Sequence, residues 1–427
     1  MLKRILYQKV LKRLLKFFKE LLGRKPKGHF RSRIHSLAAF IVGMIRNKSS
    51  HLSKLGKGLI QFIKGQSQAK AARKFVYNKA VDYTTYYLPY IKELLRMILS
   101  ILPAKEAVYF AIDGSQMGKH HAILMISLVY GKRGIPIGWT VKKGAKGHFS
   151  KDNHVELLQE VQANIGDVIP TTRSVFVLGD GEFGSIELQE CSLSTNWNYV
   201  FRIACSTVLF KDQERFKPRD VGVSKVRDYV WIAYNETDQI APPYLEELLF
   251  TATSQWELPE ESSFIPGQNH LFVEDVEFRL KRFKGVHFCL WHDPKHEKPI
   301  PLISNVADAN LIIKAYQKRW SVECLFKDLK STSFNLHKTR LTSARAIHNL
   351  VMIAAFAFTL VLNLGKMYKD HPIRGYIHQV RTDQVVCATF SLGLELINLF
   401  LERDIEFCFD QPVPILISEL KQRHKNL

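Results

Sequence analysis

The chain has 427 residues, 46% of them hydrophobic, 11% aromatic and 24% charged. That composition supports buried cores in roughly two to four domains and excludes a disordered chain. The formal net charge is +21, and its distribution is sharper than its size: residues 1–100 hold 23 Lys and Arg against three acids (Glu20, Asp82, Glu93), leaving 38 basic and 37 acidic residues in the rest. An excess confined to one end predicts a polyanionic partner, nucleic acid before membrane.

In chain order, Leu2, Ile5, Leu6, Val10, Leu14, Phe17, Phe18 and Leu21 recur at helical spacing, and the opposite face is filled by Lys and Arg. The stretch GRKPKG at 23–28 ends that helix. Further helices are predicted over 33–46, 51–63, 67–81 and 88–101. A basic amphipathic helix at residues 1–22 also fits a membrane surface or a targeting segment, but the basic excess continues through residue 80, and no uninterrupted apolar run marks a secretory signal.

From 107 to 205 the order is β–β–β–α–β–α–β. AVYFAIDGS is an apolar strand ending in Asp113, and HAILMISLVYG and IPIGWTVKKG continue a meander. NHVELLQEVQANIG is helical with Asn153 as its N-cap. SVFVLGDGEFG is a strand ending in Asp180, SIELQECSL a helix, and NYVFRIAC a last strand. Such an order predicts a mixed sheet with helices against it. Residues 206–303, with VRDYVWIAYNE, NHLFVEDVEFRLKRF, GVHFCLWHD and PIPLISNV, read as a β-rich insertion. Asp308 begins a long helix, and the chain is mostly helical from 341 onward. LVMIAAFAFTLVLNL at 350–364 is too short for a membrane span and reads as a buried core helix. The six cysteines (Cys191, Cys205, Cys289, Cys324, Cys387, Cys408) show no metal-ligand spacing and fit reduced thiols in a cytoplasmic protein.

Two features carry chemistry. The stretch YQKRWSVECLFKDLK at 316–330, at about 100° per residue, sets Arg319 about 60°, Glu323 about 20° and Lys330 about 40° from Tyr316, all on one side. An ordinary solvated face with ion pairs explains this as well. The second is the pair of strand-end acids, Asp113 and Asp180. An unpaired carboxylate ending a buried strand is penalised, and a hard divalent cation with oxygen ligands removes the penalty. Three carboxylates at one sheet edge suit two ions and phosphodiester cleavage. The competing explanation is turn capping, since both acids precede Gly.

The strand order resembles the ribonuclease-H-like catalytic core. Tyr316, Arg319, Glu323 and Lys330 match in type and spacing the Y-(2)-R-(3)-E-(6)-K signature of the DDE transposases of the insertion-sequence family four group. AIDGS and LGDGEFG resemble that family's first and second Asp regions. The second departs from the usual Asp-x-Gly-Tyr/Phe, because Gly181 directly follows Asp180 and Glu182 precedes Phe183. The resemblance spans about 105 to 365. It implies an α/β protein with a ribonuclease-H-like core, a β-rich insertion, a basic all-helical N-terminal domain and a helical C-terminal region. The divisions are 1–104 for the DNA-binding domain, 105–205 for the first part of the core and 206–303 for the insertion. The second part of the core is 304–365, and 366–427 is a helical region suited to dimerisation.

By the same resemblance, Asp113, Asp180 and Glu323 form the catalytic, metal-binding triad for two Mg²⁺ ions, with Mn²⁺ accepting the same ligands. Tyr316, Arg319 and Lys330 hold DNA phosphates, a role that suits a bidentate guanidinium and a point charge. In relatives that cut through a hairpin, a Trp at the position of Trp320 stacks on a flipped base, a core or interface aromatic being the competing explanation; Trp291, ending an insertion strand, is a second candidate for that task. The partners implied are double-stranded DNA (terminal inverted repeats and target) and a second copy of the chain on DNA, with no membrane, in a prokaryotic cytoplasm at the nucleoid. A DNA-binding derivative that no longer cuts and a structure-specific nuclease are the alternatives. His120, His121, His148 and His154 are weaker features, as are Lys142, Lys143 and Lys146 after the third strand.

Overall fold

Residues 2–23, 25–60, 62–144, 149–219, 270–292, 299–369 and 389–402 are described by the computed structural model. The N-terminal apolar periodicity becomes helices α1 (Leu2–Leu21), α2 (Gly28–Asn47), α3 (Leu52–Leu55), α4 (Gly65–Val76), α5 (Tyr83–Tyr86) and α6 (Leu88–Ile101). The helix predicted over 51–63 is shorter: α3 tightens into a 3₁₀ turn at Gly56–Leu59, where two glycines lower helical propensity. The helix predicted over 67–81 ends at Val76, because the Asn78 side chain accepts the Ala80 N–H at 2.9 Å and closes a turn.

Among the described residues ten strands form one sheet, in the order β3-β2-β1-β4-β5-β10-β9-β8-β6-β7. They are β1 (Val108–Met117), β2 (His121–Tyr130), β3 (Arg133–Lys143), β4 (Val175–Gly179), β5 (Asn198–Arg202), β6 (Leu209–Lys211), β7 (Glu214–Phe216), β8 (His270–Phe278), β9 (Phe283–Trp291) and β10 (Ile300–Ser304). The meander β1–β2–β3 is antiparallel, and β4 and β5 add in parallel to β1. The described strands within 206–303 build no separate sheet: β10 pairs with β5 on one side and β9 on the other. VRDYVWIAYNE lies outside the described residues.

Helices α7 (Lys151–Ile165) and α8 (Ile186–Leu193) fill the connections around β4. The α7 cap is Ser150, not Asn153; Asn153 is its partner three residues on in a reciprocal capping box. After β10 come α9 (Ala309–Lys318), α10 (Trp320–Lys327), a π-turn at Asp328–Thr332, α11 (Ala344–Met367) and α12 (Thr389–Glu402). Asp308 caps α9 as predicted, accepting the Leu311 N–H at 3.0 Å.

The core is continuous from the N-terminal helices to the sheet. Trp139 on β3 meets Tyr83, Tyr87 and His348 at ring separations of 5.4, 5.4 and 5.3 Å, and the Tyr87 hydroxyl donates to the Pro136 carbonyl at 2.9 Å. Gly138, the neighbouring position on β3, meets Leu157 and Val161 of α7 on the other face. The helix α11 passes the length and hydropathy test for a membrane span, yet 94% of its apolar window is buried inside the protein, as expected for a core helix. Truncating one of its buried aromatics, such as Phe356, which packs on Phe18, Tyr87 and Tyr90, would cost about 3–5 kcal/mol.

Candidate active site

Strand β1 does not end at its acid. Beyond Ala111, the last residue paired with β4, the chain stays extended because β2 still pairs with it through Met117. Asp113 is therefore mid-strand, opposite Met125, rather than at the strand end as expected, and the turn of the competing explanation does not form at Asp113–Gly114. Its carboxylate is 7% exposed and accepts the Gly114 N–H at 2.7 Å. Asp180 does follow the end of its strand, one residue after β4. Since Ala111 pairs with Leu178 in parallel, continuing that register by two residues brings Asp113 and Asp180 to one sheet edge. Asp180 accepts the Glu182 N–H at 3.2 Å, so Glu182 belongs to its turn.

The predicted long helix is broken where the motif is densest. Helix α9 ends at Lys318 and α10 begins at Trp320, with Arg319 between them. The bonds from Arg319 N–H to the Tyr316 carbonyl, 2.9 Å, and from Val322 N–H to the Arg319 carbonyl, 3.1 Å, span three residues and tighten the chain there. The break leaves Arg319 and Glu323 facing each other, joined by a salt bridge. The same guanidinium reaches Asp180 at 4.0 Å and lies over the Tyr316 ring at 5.6 Å. Burial works to lower the Arg319 pKa, but Tyr316, Glu323 and Asp180 together hold it above its ordinary value. Burial also raises the Tyr316 phenol, keeping it a neutral hydroxyl. Trp320, by contrast, is 63% exposed.

Downstream, the π-turn at Asp328–Thr332 changes the helical phase. Lys330 donates to the Ser115 hydroxyl, and Ser115 lies two residues past Asp113 on the same face of β1. Asp328 pairs with Arg133 of β3 at 2.9 Å. Its pKa is raised by burial, partly offset by the Arg133 charge. Ser115, Arg133 and Asp328 escaped the sequence reading. Ser115 had a signal in the alternation after Asp113; the Arg133 pairing had none, because its partners are 195 residues apart in sequence (328 − 133).

Other predicted residues are dispersed. Trp291 is half-buried at the end of β9. His120 is exposed, His121 is buried opposite Lys143, and Lys142 and Lys143 are exposed at the end of β3. Lys146 and His148 lie outside the described residues. His154 is 3% exposed on α7, against the Phe183 ring at 4.7 Å, with no hydrogen-bond partner for either ring nitrogen among the described residues. Burial pushes its pKa down to about 4.

The model of the family described as "Transposase DDE domain" matches residues 100–360, more than half of the chain. The chain belongs to that family. The matched segment of this DDE transposase runs from the end of α6 into α11 and includes Asp113, Asp180 and Glu323. No curated protein matches it. Among solved structures, endonuclease V of Ciona intestinalis bound to a 24-mer DNA containing an inosine followed by a ribo-adenosine aligns at 13% identity and a TM-score of 0.29, over 59% of this chain and 100% of that one. A variant of the same enzyme with a 23-mer aligns at 12% and 0.26 over the same shares. A likeness this distant bears on neither fold nor chemistry.

DDE transposases use divalent metal ions. Among the described residues, no three His, Cys, Asp or Glu side chains gather closely enough to hold one. The donor set nevertheless suits a hard cation, being all carboxylate oxygens. Two of the three acids, Asp180 and Glu323, already share one positive group, the Arg319 guanidinium.

Proposed function

We propose that this DDE transposase is of the insertion-sequence family four type and moves its element by cut and paste. The observation that carries the reading is the Arg319 bridge between Asp180 and Glu323, which brings the signature helix to the acid after β4. The order β3-β2-β1-β4-β5, antiparallel then parallel, supports a ribonuclease-H-like core over 105–205 and 304–365. The basic helices of 1–104 would bind the terminal inverted repeats and 366–427 would serve dimerisation on DNA, in a prokaryotic cytoplasm.

On this reading Asp113, Asp180 and Glu323 would hold two Mg²⁺ ions, or Mn²⁺ with the same ligands. When bound, the metal supplies Lewis acidity at the attacked phosphodiester. Arg319 and Lys330 bind phosphate oxygens, while Tyr316 donates its hydroxyl. Trp320, with its indole in solvent, is free to stack on an unpaired base. A water oxygen attacks phosphorus at the element end, and the bond to the 3′-oxygen breaks, giving a 3′-hydroxyl. That hydroxyl then attacks the opposite strand, expelling the flanking strand's 3′-oxygen and closing a hairpin, which is later opened for joining to target DNA.

A second reading, a DNA-binding derivative unable to cut, is favoured by one observation: the three acids do not form a three-carboxylate cluster among the described residues. Excision in cells separates the two. A marker between the gene's flanking DNA ends is supplied with wild-type protein or Glu323→Gln. Excision by wild type alone is expected. Binding of the ends without excision by either protein would instead establish the derivative, and excision by Glu323→Gln would remove Glu323 from the triad.

A further inference from the structure

We propose that α4 is the helix by which the protein reads DNA sequence, lying in the major groove with Gln66, Ser67, Lys70, Arg73 and Lys74 toward the bases and their flanking phosphates. The inference rests on the transposase reading only in taking the preferred sequence to be the element's own ends.

Three observations converge on α4. The first is its surface. Those five side chains are all exposed, and at about 100° per residue they share about a third of the helix circumference. Gln68, Ala72, Phe75 and Val76 occupy the opposite side and are buried. The outward face therefore carries one amide, one hydroxyl and three cations with no large apolar group. That composition suits base edges and phosphates and not a bilayer, which requires an apolar face. No carboxylate occurs between Glu20 and Asp82, so none on this stretch of chain repels a polyanion.

The second is rigidity. A Cβ on Gly58 would lie 1.7 Å from the Ala39 carbonyl oxygen, one on Gly43 would lie 2.1 Å from that of Leu55, and one on Gly56 would lie 2.5 Å from the Gln68 backbone. Backbone against backbone, α2, the α3 turn and α4 are locked in one geometry. The Gln68 amide closes the loop between them on the Ile63 carbonyl at 3.2 Å, which removes it from the reading face. At its other end, α4 is held by Asn349 of α11, whose amide donates to the Val76 carbonyl at 2.9 Å.

The third is the approach. The short α3 with its 3₁₀ turn and the more polar α4 follow in the order of a helix–turn–helix, with a longer connection; that unit presents its second helix to the groove with its first residues nearest the bases. The twelve residues of α4 span about 18 Å, and the major groove, about 12 Å wide, admits a helix. Lys54, Lys57 and Lys64 are exposed on the preceding segment, where they can straddle a phosphate backbone. Phe62 and Ile60 project from the turn, 57% and 39% exposed; thymine methyl groups accept such apolar contacts.

The test is selection of duplexes from a randomised 30-base-pair pool by the full chain. Wild type, Gln66→Ala, Arg73→Ala and the control Lys284→Ala, an exposed lysine of β9 far along the chain from the basic helices, would be used, each first shown to melt as wild type does. Wild type and Lys284→Ala are expected to enrich the same motif. Gln66→Ala and Arg73→Ala should lose preference for it by about 5- to 100-fold, each at its own base positions. Enrichment of an unchanged motif by both α4 variants, or of none by wild type, would overturn the inference. A motif that depends on α4 but is absent from both flanks of the gene would leave the inference standing and sink the transposase reading.

Discussion

The guanidinium of Arg319 is salt-bridged to Glu323 and lies 4.0 Å from Asp180, so one cation bridges two of the acids proposed to hold metal. An arginine and a divalent ion cannot both sit between the same carboxylates. On the proposed mechanism, metal entry therefore requires Arg319 to leave Glu323 and turn to a DNA phosphate. Charge-assisted hydrogen bonds are worth about 1.5–3 kcal/mol each, so Arg319→Ala should tighten Mn²⁺ binding in the absence of DNA by about tenfold or more. The same variant should lose strand cleavage. Titration calorimetry with Mn²⁺ measures the first effect; an affinity equal to or weaker than wild type would end the competition argument.

Lys330 reaches β1 rather than completing a single helical face. Its bond to Ser115 ties the tail of the motif to the strand that carries Asp113. If Lys330 is a phosphate ligand, Lys330→Met should lower the slope of log K against log salt for DNA binding by about 1. Ser115→Ala leaves the charge in place and should keep the wild-type slope, while cleavage falls less than in the lysine variant. Equal slopes for wild type and Lys330→Met would exclude the phosphate contact.

The strand before Asp180 and the pairing of Arg319 with Glu323 were legible in the sequence for a physical reason. Hydrophobic runs ending in Asp113 and Asp180, and the fixed spacing of Tyr316, Arg319, Glu323 and Lys330, are local patterns, and local patterns survive in one dimension. What escaped depended on partners far along the chain. The extension of β1 past Asp113 is imposed by β2, overriding an Asp-Gly turn signal. The break at Arg319 and the π-turn after Lys327 re-phase the motif, so a uniform 100° rotation could place the Arg319–Glu323 pair but not Lys330. Strand propensity within 206–303 says nothing about which edge a strand joins, so the pairing of β10 with β5 was not legible.

The glycines that lock the N-terminal helices give a test of packing alone. Gly43→Ala and Gly58→Ala each place a methyl group within van der Waals overlap of a backbone carbonyl. Neither clash can be relieved by a rotamer change, so each should cost about 1–3 kcal/mol. Gly65→Ala, at the start of α4 with nothing within 4 Å of its added Cβ, should be neutral or stabilising by up to about 1 kcal/mol. Thermal melting of the three variants decides it. A Gly43→Ala protein as stable as wild type would show that α2 and α3 are not held at this distance.

His154 makes acid stability a further test. Buried without a partner for either nitrogen among the described residues, it is held neutral in the fold with a pKa of about 4, against an ordinary 6.5. His348, packed on Trp139, is lowered to about 4 as well, chiefly by burial and further by Arg345. A depressed histidine pKa means that the unfolded chain takes up the proton first as pH falls. Stability is thus complete above about pH 6.5 and declines between there and about pH 4, by up to about 3 kcal/mol for each histidine. His154→Phe removes one titrating group and should flatten the fall in melting temperature between pH 7 and pH 5 relative to wild type. An identical fall in both proteins would mean that His154 is already protonated, or reaches water, in the folded state.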